Sequence, residues 1–346
     1  AALAAGQMTN ASGASVVAGV VAGYEVMCRL GRALKPADHY DRGFHPTATT
    51  GAFGATVSAG RALGLSAEQL SMALGICLSQ ASGSMQFLVN SAWTKRFQVG
   101  NAAMVGVIAA SLASQGFVGA SEAIEGDCGF LRSYAPDPDP SLAIAGLREH
   151  WETLQIGVKP YPSCRFSHAA IDGIIDIAAP GIEASKIAQI NIGLPRKGMD
   201  LTALPQAFRR KPNGVVGGQF SMHFTAAVAA QTGNLSWDDY DQYLTDLTTL
   251  DLAQRIDVQE DAEMDAIYPE RMGGKVSIRL TDGSLETRCV EIPKGEPENF
   301  PDAKAHRSKF ISLTQPVLGE QAAHLHQRLM TFSALESVNE LFPEVS

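Results

Sequence analysis

The chain has 346 residues, 45% of them hydrophobic and 18% charged, with a formal net charge of -9. That much apolar material excludes wholesale disorder, and the acidic balance argues against a nucleic-acid scaffold. The unbroken apolar runs, residues 16–23 and 102–110, are too short to cross a bilayer, so no membrane partner is expected. Any anion must therefore be met by local clusters of Lys, Arg and His.

The chain opens on Ala1 rather than Met, and residues 1–10 lack the basic start and apolar core of a secretory signal. The five cysteines (Cys28, Cys77, Cys128, Cys164 and Cys289) form no C-x-x-C pair. Their spacing predicts reduced thiols in a cytoplasmic setting and neither a disulfide framework nor a metal site.

The first half reads as helices rich in small residues. Over 12–34, Val16, Val20, Met27 and Leu34 keep helical spacing, while Gly13, Gly19, Gly23 and Gly31 cost propensity that close helix–helix approach would offset. A second such helix spans 47–63 and stops at Gly64. Ser66 with Gln69 forms a capping box that opens 67–79. Residues 93–115 form another helix ended by Gly116, and 141–154 a shorter one after the Pro136–Pro140 break.

The texture then changes. Helix is expected over 167–179, ended by Pro180, and again over 217–231 and 237–248. Strand alternation marks 187–194, and the pair 275–280 and 285–292 joined by the hairpin signal Asp282-Gly283. The tail from about 303 to 341 returns to helix. The fold class read from this order is mainly α: a large all-helical domain (1–155 and 296–346) with an inserted smaller α+β domain at 156–295.

Four segments combine special backbone with ionisable side chains. In Arg42-Gly-Phe-His-Pro-Thr47, His45 precedes a proline and sits at a helix start, where the helix dipole favours a neutral imidazole and anionic ligands. A plain packing histidine is an equal reading of that segment. Around Trp93-Thr-Lys-Arg96, Lys95 and Arg96 are the charges of a long apolar neighbourhood, either snorkelling or aimed into a cavity beside Trp93 and Asn101. The segment 159–168 packs Lys159, Tyr161, Cys164, Arg165 and His168 around two prolines, as a rigid binding loop or a solvated hinge. Cys164 with His168 as base would make a nucleophilic pair, without a third group to orient it. Residues 209–221 place three cations before a glycine-rich helix entry, either facing an anion or solvated, and Glu296–Asn299 reads as a connecting turn. P-loop, Rossmann, H-E-x-x-H and G-x-S-x-G patterns do not occur.

The ordered series VAGYEV (21–26), GFHPTATTGAFGA (43–55), LGLSAEQLSMALGI (63–76), SQASGSMQFL (79–88), WTKRFQVGNAA (93–103), VKPYPSCRFSHAAID (158–172), GGQFS (217–221) and PKGEPEN (293–299) resembles the MmgE/PrpD family. That resemblance implies a helical domain built from both chain ends and a smaller α+β lid. It implies a homodimer, and cofactor-free chemistry on citrate-like di- and tricarboxylates in a cleft between the domains. His45 then corresponds to the family's His-Pro histidine, Lys95 to the lysine of its T-K motif and Lys159 to the lysine opening the lid segment. With His168 these are the expected catalytic residues, and Arg96, Arg165, Cys164, Tyr161 and Gln86 the expected substrate contacts. The resemblance also implies a further N-terminal portion with an H-A-x-D-x-D-D-T-type motif. At two positions the chain departs from the decarboxylase-like pattern: Cys164 stands where a histidine is found, and Phe224 where a tyrosine is frequent.

The expected reaction is that of a 2-methylcitrate dehydratase-like lyase in which a Lys/Arg/His clamp holds the carboxylates while a proton is removed. Cis-aconitate decarboxylation and iminodisuccinate epimerisation are the alternatives within the family. A non-catalytic carboxylate-binding or scaffold role is the alternative of another class.

Overall fold

The computed structural model describes residues 1–90 and 92–341. Ser91, which precedes the Trp93 motif, lies outside them. The chain divides into two compact units. One comprises Ala1–Phe87, Ala92–Gln155 and the chain from Thr314 onward; the other comprises Leu88–Ser91 and Ile156–Leu313.

The first unit is mainly helical, with an isolated antiparallel bridge between Phe44 and Ser84, and is built around the helix Pro46–Ala62. Small residues let its neighbours come in to backbone distance. A Cβ on Gly23 would sit 2.7 Å from the Gly54 carbonyl oxygen, and one on Gly54 would sit 2.6 Å from that of Gly23. The helix Thr94–Ser114 approaches the other side in the same way, where a Cβ on Gly106 would fall 2.4 Å from the Ala55 carbonyl carbon. The propensity cost of glycine is thus met by close packing, and ridges of alanine complete the seam. Gly13–Ala33 and Thr94–Ser114 have 21 residues each and are long and apolar enough to cross a membrane by length and composition, a property that counting unbroken apolar runs does not register. Here both are packed against Pro46–Ala62. Phe53 and Phe130, with ring centroids 4.5 Å apart and planes tilted by 49°, fill the core with Leu34 and Leu131.

Local signals set the ends of these elements. Ser12 caps Gly13–Ala33 by accepting from the Ser15 N–H, and Ser66 and Gln69 form the reciprocal capping box of Ala67–Leu78. Gly64 and Gly116 close their helices with positive φ. The expected helix over 141–154 is not formed. Ser141–Ile144 is a single turn and Glu152–Gln155 a 3-10 turn, because Gly146 and Arg148 between them adopt left-handed backbone, which a right-handed helix cannot contain.

The second unit is a mixed four-stranded sheet with helices. β1 (Ile187–Leu194) lies at the centre, with Ile187, Ile190, Ile192 and Leu194 buried. β2 (Ile256–Glu260) pairs with it in parallel, Ile190 opposite Ile256. β3 (Gly274–Leu280) pairs on its other side antiparallel, and β4 (Leu285–Val290) completes the hairpin, giving the order β2-β1-β3-β4. Gly283, at φ 90, makes the hairpin turn possible. The helices His168–Ala178 and Met222–Thr232 pack with the sheet over a core that includes Ile171, Ile174, Phe224 and Val228.

Two expectations are corrected in this unit, and β2 is a strand that alternation does not mark. The helix expected over 217–231 is two helices, Gly214–Gln219 and Met222–Thr232, because Ser221 is extended and its hydroxyl caps the second by accepting from the Phe224 N–H. Residues 237–248 likewise break into Asp239–Tyr243 and Leu247–Gln254, the second capped by Asp246.

Candidate functional site

In the first unit the chemistry gathers at the start of Pro46–Ala62. The proline after His45 holds that residue extended (φ -98, ψ 102) as the N-cap, and the backbone carbonyl of His45 receives the Ala48 and Thr49 N–H groups. The imidazole is therefore not spent on capping. It is 6% exposed and meets the Phe87 ring edge-on at 5.3 Å.

Its tautomer follows from its neighbours. The Gln98 side-chain N–H donates to the Ser84 carbonyl oxygen (2.8 Å), a group that can only accept. The Gln98 Oε1 consequently faces His45 Nδ1 at 2.8 Å and must accept from it. Nδ1 carries the proton and Nε2 carries the lone pair. Burial lowers the His45 pKa, and the nearby Lys95 ammonium lowers it further against the opposing effect of the Gln98 hydrogen bond. Lys95 and Gln98 are three residues apart on the helix Thr94–Ser114, so one helix face supplies both the cation and the orienting amide.

The other expected residues of this unit lie differently. Arg96 is exposed, with its guanidinium 5.3 Å from the Trp93 ring centroid. Gln86 is exposed too, and its backbone N–H bonds the Ser84 hydroxyl.

In the second unit the segment Lys159–His168 is held from several sides. Tyr240 Oη donates to the Pro162 carbonyl (2.9 Å), Tyr161 Oη donates to Asp172 Oδ1 (2.6 Å), and the Ser163 and Ser167 hydroxyls meet at 2.8 Å. Lys159 is exposed as a residue, yet its ammonium is turned onto the Ser163 carbonyl oxygen (3.0 Å). Desolvation there lowers its pKa; the Cys164 thiol opposes the shift, while Arg165 and Lys309 add to it. His168 is 1% exposed and lies edge-on to Tyr161. Burial first, then Lys159 and Arg165, push its pKa down to about 3, and its Nε2 is buried without a protein partner. Burial also raises Tyr161 and Asp172.

Arg165 is engaged by Glu296, with Nε 2.6 Å from Oε1, so Glu296–Asn299 is more than a connecting turn. Cys164 is buried in an apolar cluster with Phe166, Val216 and Phe220, near Arg209. Lys159, Tyr161, Arg165 and His168 thus form one electrostatically linked group, with Cys164 on its flank.

Sequence reading passed over two residues. Gln98 lies within WTKRFQVGNAA (93–103), and its three-residue spacing from Lys95 is the available sign. His223 lies fully buried in Met222–Thr232 with neither ring nitrogen partnered by protein, and burial with Arg210 and Arg209 lowers its pKa to about 4. An ionisable residue inside MHFTAAVAA was its signal. The cations at 209–211 are partly drawn inward: Arg209 donates to the Leu204 carbonyl and Arg210 to that of Ile256.

This ordered set of motifs and the helical and mixed architecture have a shared origin: the chain belongs to the MmgE/PrpD family. The family's N-terminal domain model matches residues 1–143 and its C-terminal domain model residues 161–333. Cis-aconitate decarboxylase of Aspergillus terreus is 28% identical over 310 residues, covering 85% of this chain and 62% of that enzyme. The cis-aconitate decarboxylase-like protein oryM of Aspergillus oryzae is 24% identical, over 97% of this chain and 72% of its own. Human cis-aconitate decarboxylase is 35% identical over 171 residues, 48% of this chain and 34% of its own. The chain thus spans less than two thirds of the Aspergillus terreus enzyme.

Proposed function

We propose that this chain belongs to a cofactor-independent lyase acting on a small di- or tricarboxylate, with His45 as the base that removes a proton from carbon. The observation that carries the reading is the fixed tautomer of His45. A buried, neutral imidazole with Nδ1 anchored on Gln98 keeps its Nε2 lone pair for a proton. Abstraction beside a carboxylate adds negative charge to an already anionic substrate, and the Lys95 ammonium offsets it. The loss of one such donor typically costs on the order of 3 kcal/mol.

In the dehydration of a 2-methylcitrate-like hydroxy acid, the C–H electron pair becomes the new C=C bond. The C–O bond breaks, and hydroxide leaves as water with the proton first taken by His45. A neutral histidine suits this direction. Decarboxylation of cis-aconitate is the second reading, supported by the names of the relatives. There the C–C bond to the departing carboxylate breaks as CO2, and a proton must be delivered to carbon, which asks for a protonated acid.

Incubation with 2-methylcitrate, cis-aconitate and citrate tests both readings. Alkene formation without CO2 marks dehydration, and CO2 release from cis-aconitate marks decarboxylation. Lack of turnover of all three, together with no deuterium exchange at carbon, contradicts the proposal.

A further inference from the structure

The first unit holds a second buried histidine, His39, six residues before His45 in the short helix Pro36–Asp41. Its two ring nitrogens have different partners. Nδ1 is 3.0 Å from the backbone carbonyl oxygen of Tyr134, a group that can only accept, so Nδ1 carries the proton. Burial lowers the His39 pKa, and the Arg42 guanidinium lowers it further against the opposing effect of the Tyr134 bond, so the ring is neutral at pH 7. Nε2 keeps a lone pair, and the buried Thr49 hydroxyl donates to it across 2.9 Å. A hydroxyl has one proton to give. The contacts of Thr49 Oγ1 with the His45 and Pro46 carbonyl oxygens, at 3.4 and 3.3 Å, are longer and give way to the shorter bond.

His45 lies between the two places that His39 holds. Before it, the Phe44 N–H donates to the His39 carbonyl oxygen at 3.2 Å, and the Phe44 ring stacks on the imidazole with centroids 5.0 Å apart and planes 19° from parallel. After it, Thr49 stands in the first turn of Pro46–Ala62 and gives its backbone N–H to the His45 carbonyl. One ring thus fastens the residue before His45 and the residue four beyond it. Tyr134 anchors that ring from elsewhere in the chain, with its carbonyl on Nδ1 and its own ring 5.0 Å from Phe44. Held at both ends, His45 presents its imidazole to Gln98 with 2.8 Å between Nδ1 and Oε1. A shift of about 1 Å would break the hydrogen bond that selects the tautomer, and misplacements of that size cost catalysis heavily.

We propose that His39 is a positioning residue for His45: through Thr49 and Phe44 it sets the His45 imidazole against Gln98, and so fixes the tautomer that leaves Nε2 free to take a proton. Both nitrogens of His39 are engaged and the ring is fully buried, so it acts through its neighbours and not on a substrate. The catalytic consequence rests on the reading of His45 as the base. Control of the tautomer does not, and holds in a chain that converts nothing.

The test compares His39→Asn, Thr49→Val and Thr49→Ser with the parent chain. His39→Asn keeps an N–H for the Tyr134 carbonyl and deletes the acceptor that Thr49 uses. Thr49→Val keeps the side-chain shape and deletes the donated proton, whereas Thr49→Ser keeps the hydroxyl. Two readouts are taken: the nitrogen-15 spectrum of His45 without substrate, and kcat and KM on whichever of 2-methylcitrate, cis-aconitate and citrate the parent converts. The expected result is a mixture of His45 tautomers in His39→Asn and Thr49→Val, with kcat lowered at least about tenfold and KM changed less than about twofold. Thr49→Ser restores the single tautomer and the rate. Circular dichroism controls for folding, and the nearly isosteric Thr49→Val keeps the inference open to refutation if His39→Asn does not fold. A single Nδ1-protonated tautomer of His45 persisting in folded Thr49→Val overturns the inference, and so does an equal loss of kcat in Thr49→Ser and Thr49→Val. A chain that converts none of the three acids but shows the mixed tautomers in these variants refutes the lyase reading and leaves the positioning by His39 standing.

Discussion

His45 and His168 are both almost completely buried, yet their surroundings prepare them for different work. His45 lies against the Phe87 ring with one hydrogen-bond partner, Gln98, which fixes its proton on Nδ1, and a cation stands near it. His168 is set among the Tyr161 ring, the Ser163 backbone and three positive charges, with its Nε2 unpartnered and its pKa pushed down to about 3. Each ring has a partner, the Gln98 amide for His45 and the Ser163 backbone for His168, so what distinguishes them is charge: Lys95 acts on His45, whereas Lys159, Arg165 and Lys309 all act on the more deeply buried His168.

The largest effect is expected at the first of these. His45→Gln should lower turnover by about 10²–10⁴-fold, the range for loss of a general base. His168→Gln should change it far less while lowering the melting temperature. Equal losses in both variants, with folding intact, would break the comparison. Lys95→Met should cost about 10²–10³-fold. It should also move the acid limb of kcat/KM upward, because removing the cation makes His45 easier to protonate. Gln98→Leu should move that limb downward, since the amide oxygen favours the protonated ring. Both limbs are read from pH profiles of the two variants.

Acid stability sharpens the contrast from the second unit. His168 and His223, at about 3 and about 4 in the folded chain, return to about 6.5 when unfolded. Between those values the unfolded state binds more protons. The stability that neutral burial contributes is thus present above about pH 6.5 and is lost as the pH falls, at up to about 1.4 kcal/mol per unit for each ring. Thermal melts between pH 7 and pH 4 should show the slope. His223→Leu should flatten it and raise stability near neutral pH, because it removes two buried unpartnered nitrogens at about 1–3 kcal/mol each.

The smallest effects lie in the scaffold. Gly54→Ala places a methyl group 2.6 Å from the Gly23 carbonyl oxygen and should cost about 1–3 kcal/mol in chemical denaturation. Gly31→Ala, on the same Gly13–Ala33 helix that contributes Gly23, meets nothing within 4 Å and should gain about 0.5–1 kcal/mol. A similar loss at both positions would show that the close helix seam is not what those glycines serve.

Local chemistry was legible in the chain, and non-local chemistry was not. Capping at Ser12 and Ser66, the stops at Gly64 and Gly116 and the turn at Gly283 follow from rules spanning a few residues, and each stands where those rules place it. β2 escaped because Ile256–Glu260 is short and acquires its identity by pairing in parallel with a strand some sixty residues earlier. Residues 141–154 misled because apolar spacing said nothing of the left-handed backbone at Gly146 and Arg148. At the site, the proline after His45 announced a special histidine. Its partner did not show, since Gln98 reaches His45 across 53 residues and is oriented in turn by the Ser84 backbone. Lys309, brought to the Lys159 carbonyl across 150 residues, was hidden for the same reason.

Nitrogen-15 NMR of the His45 imidazole, followed through a pH titration, reads the tautomer and the charge of the ring. The expected result is a neutral ring protonated at Nδ1 at pH 7, with a pKa below the ordinary histidine value of about 6.5. A ring protonated at Nε2, or one that is an imidazolium at pH 7, would contradict it.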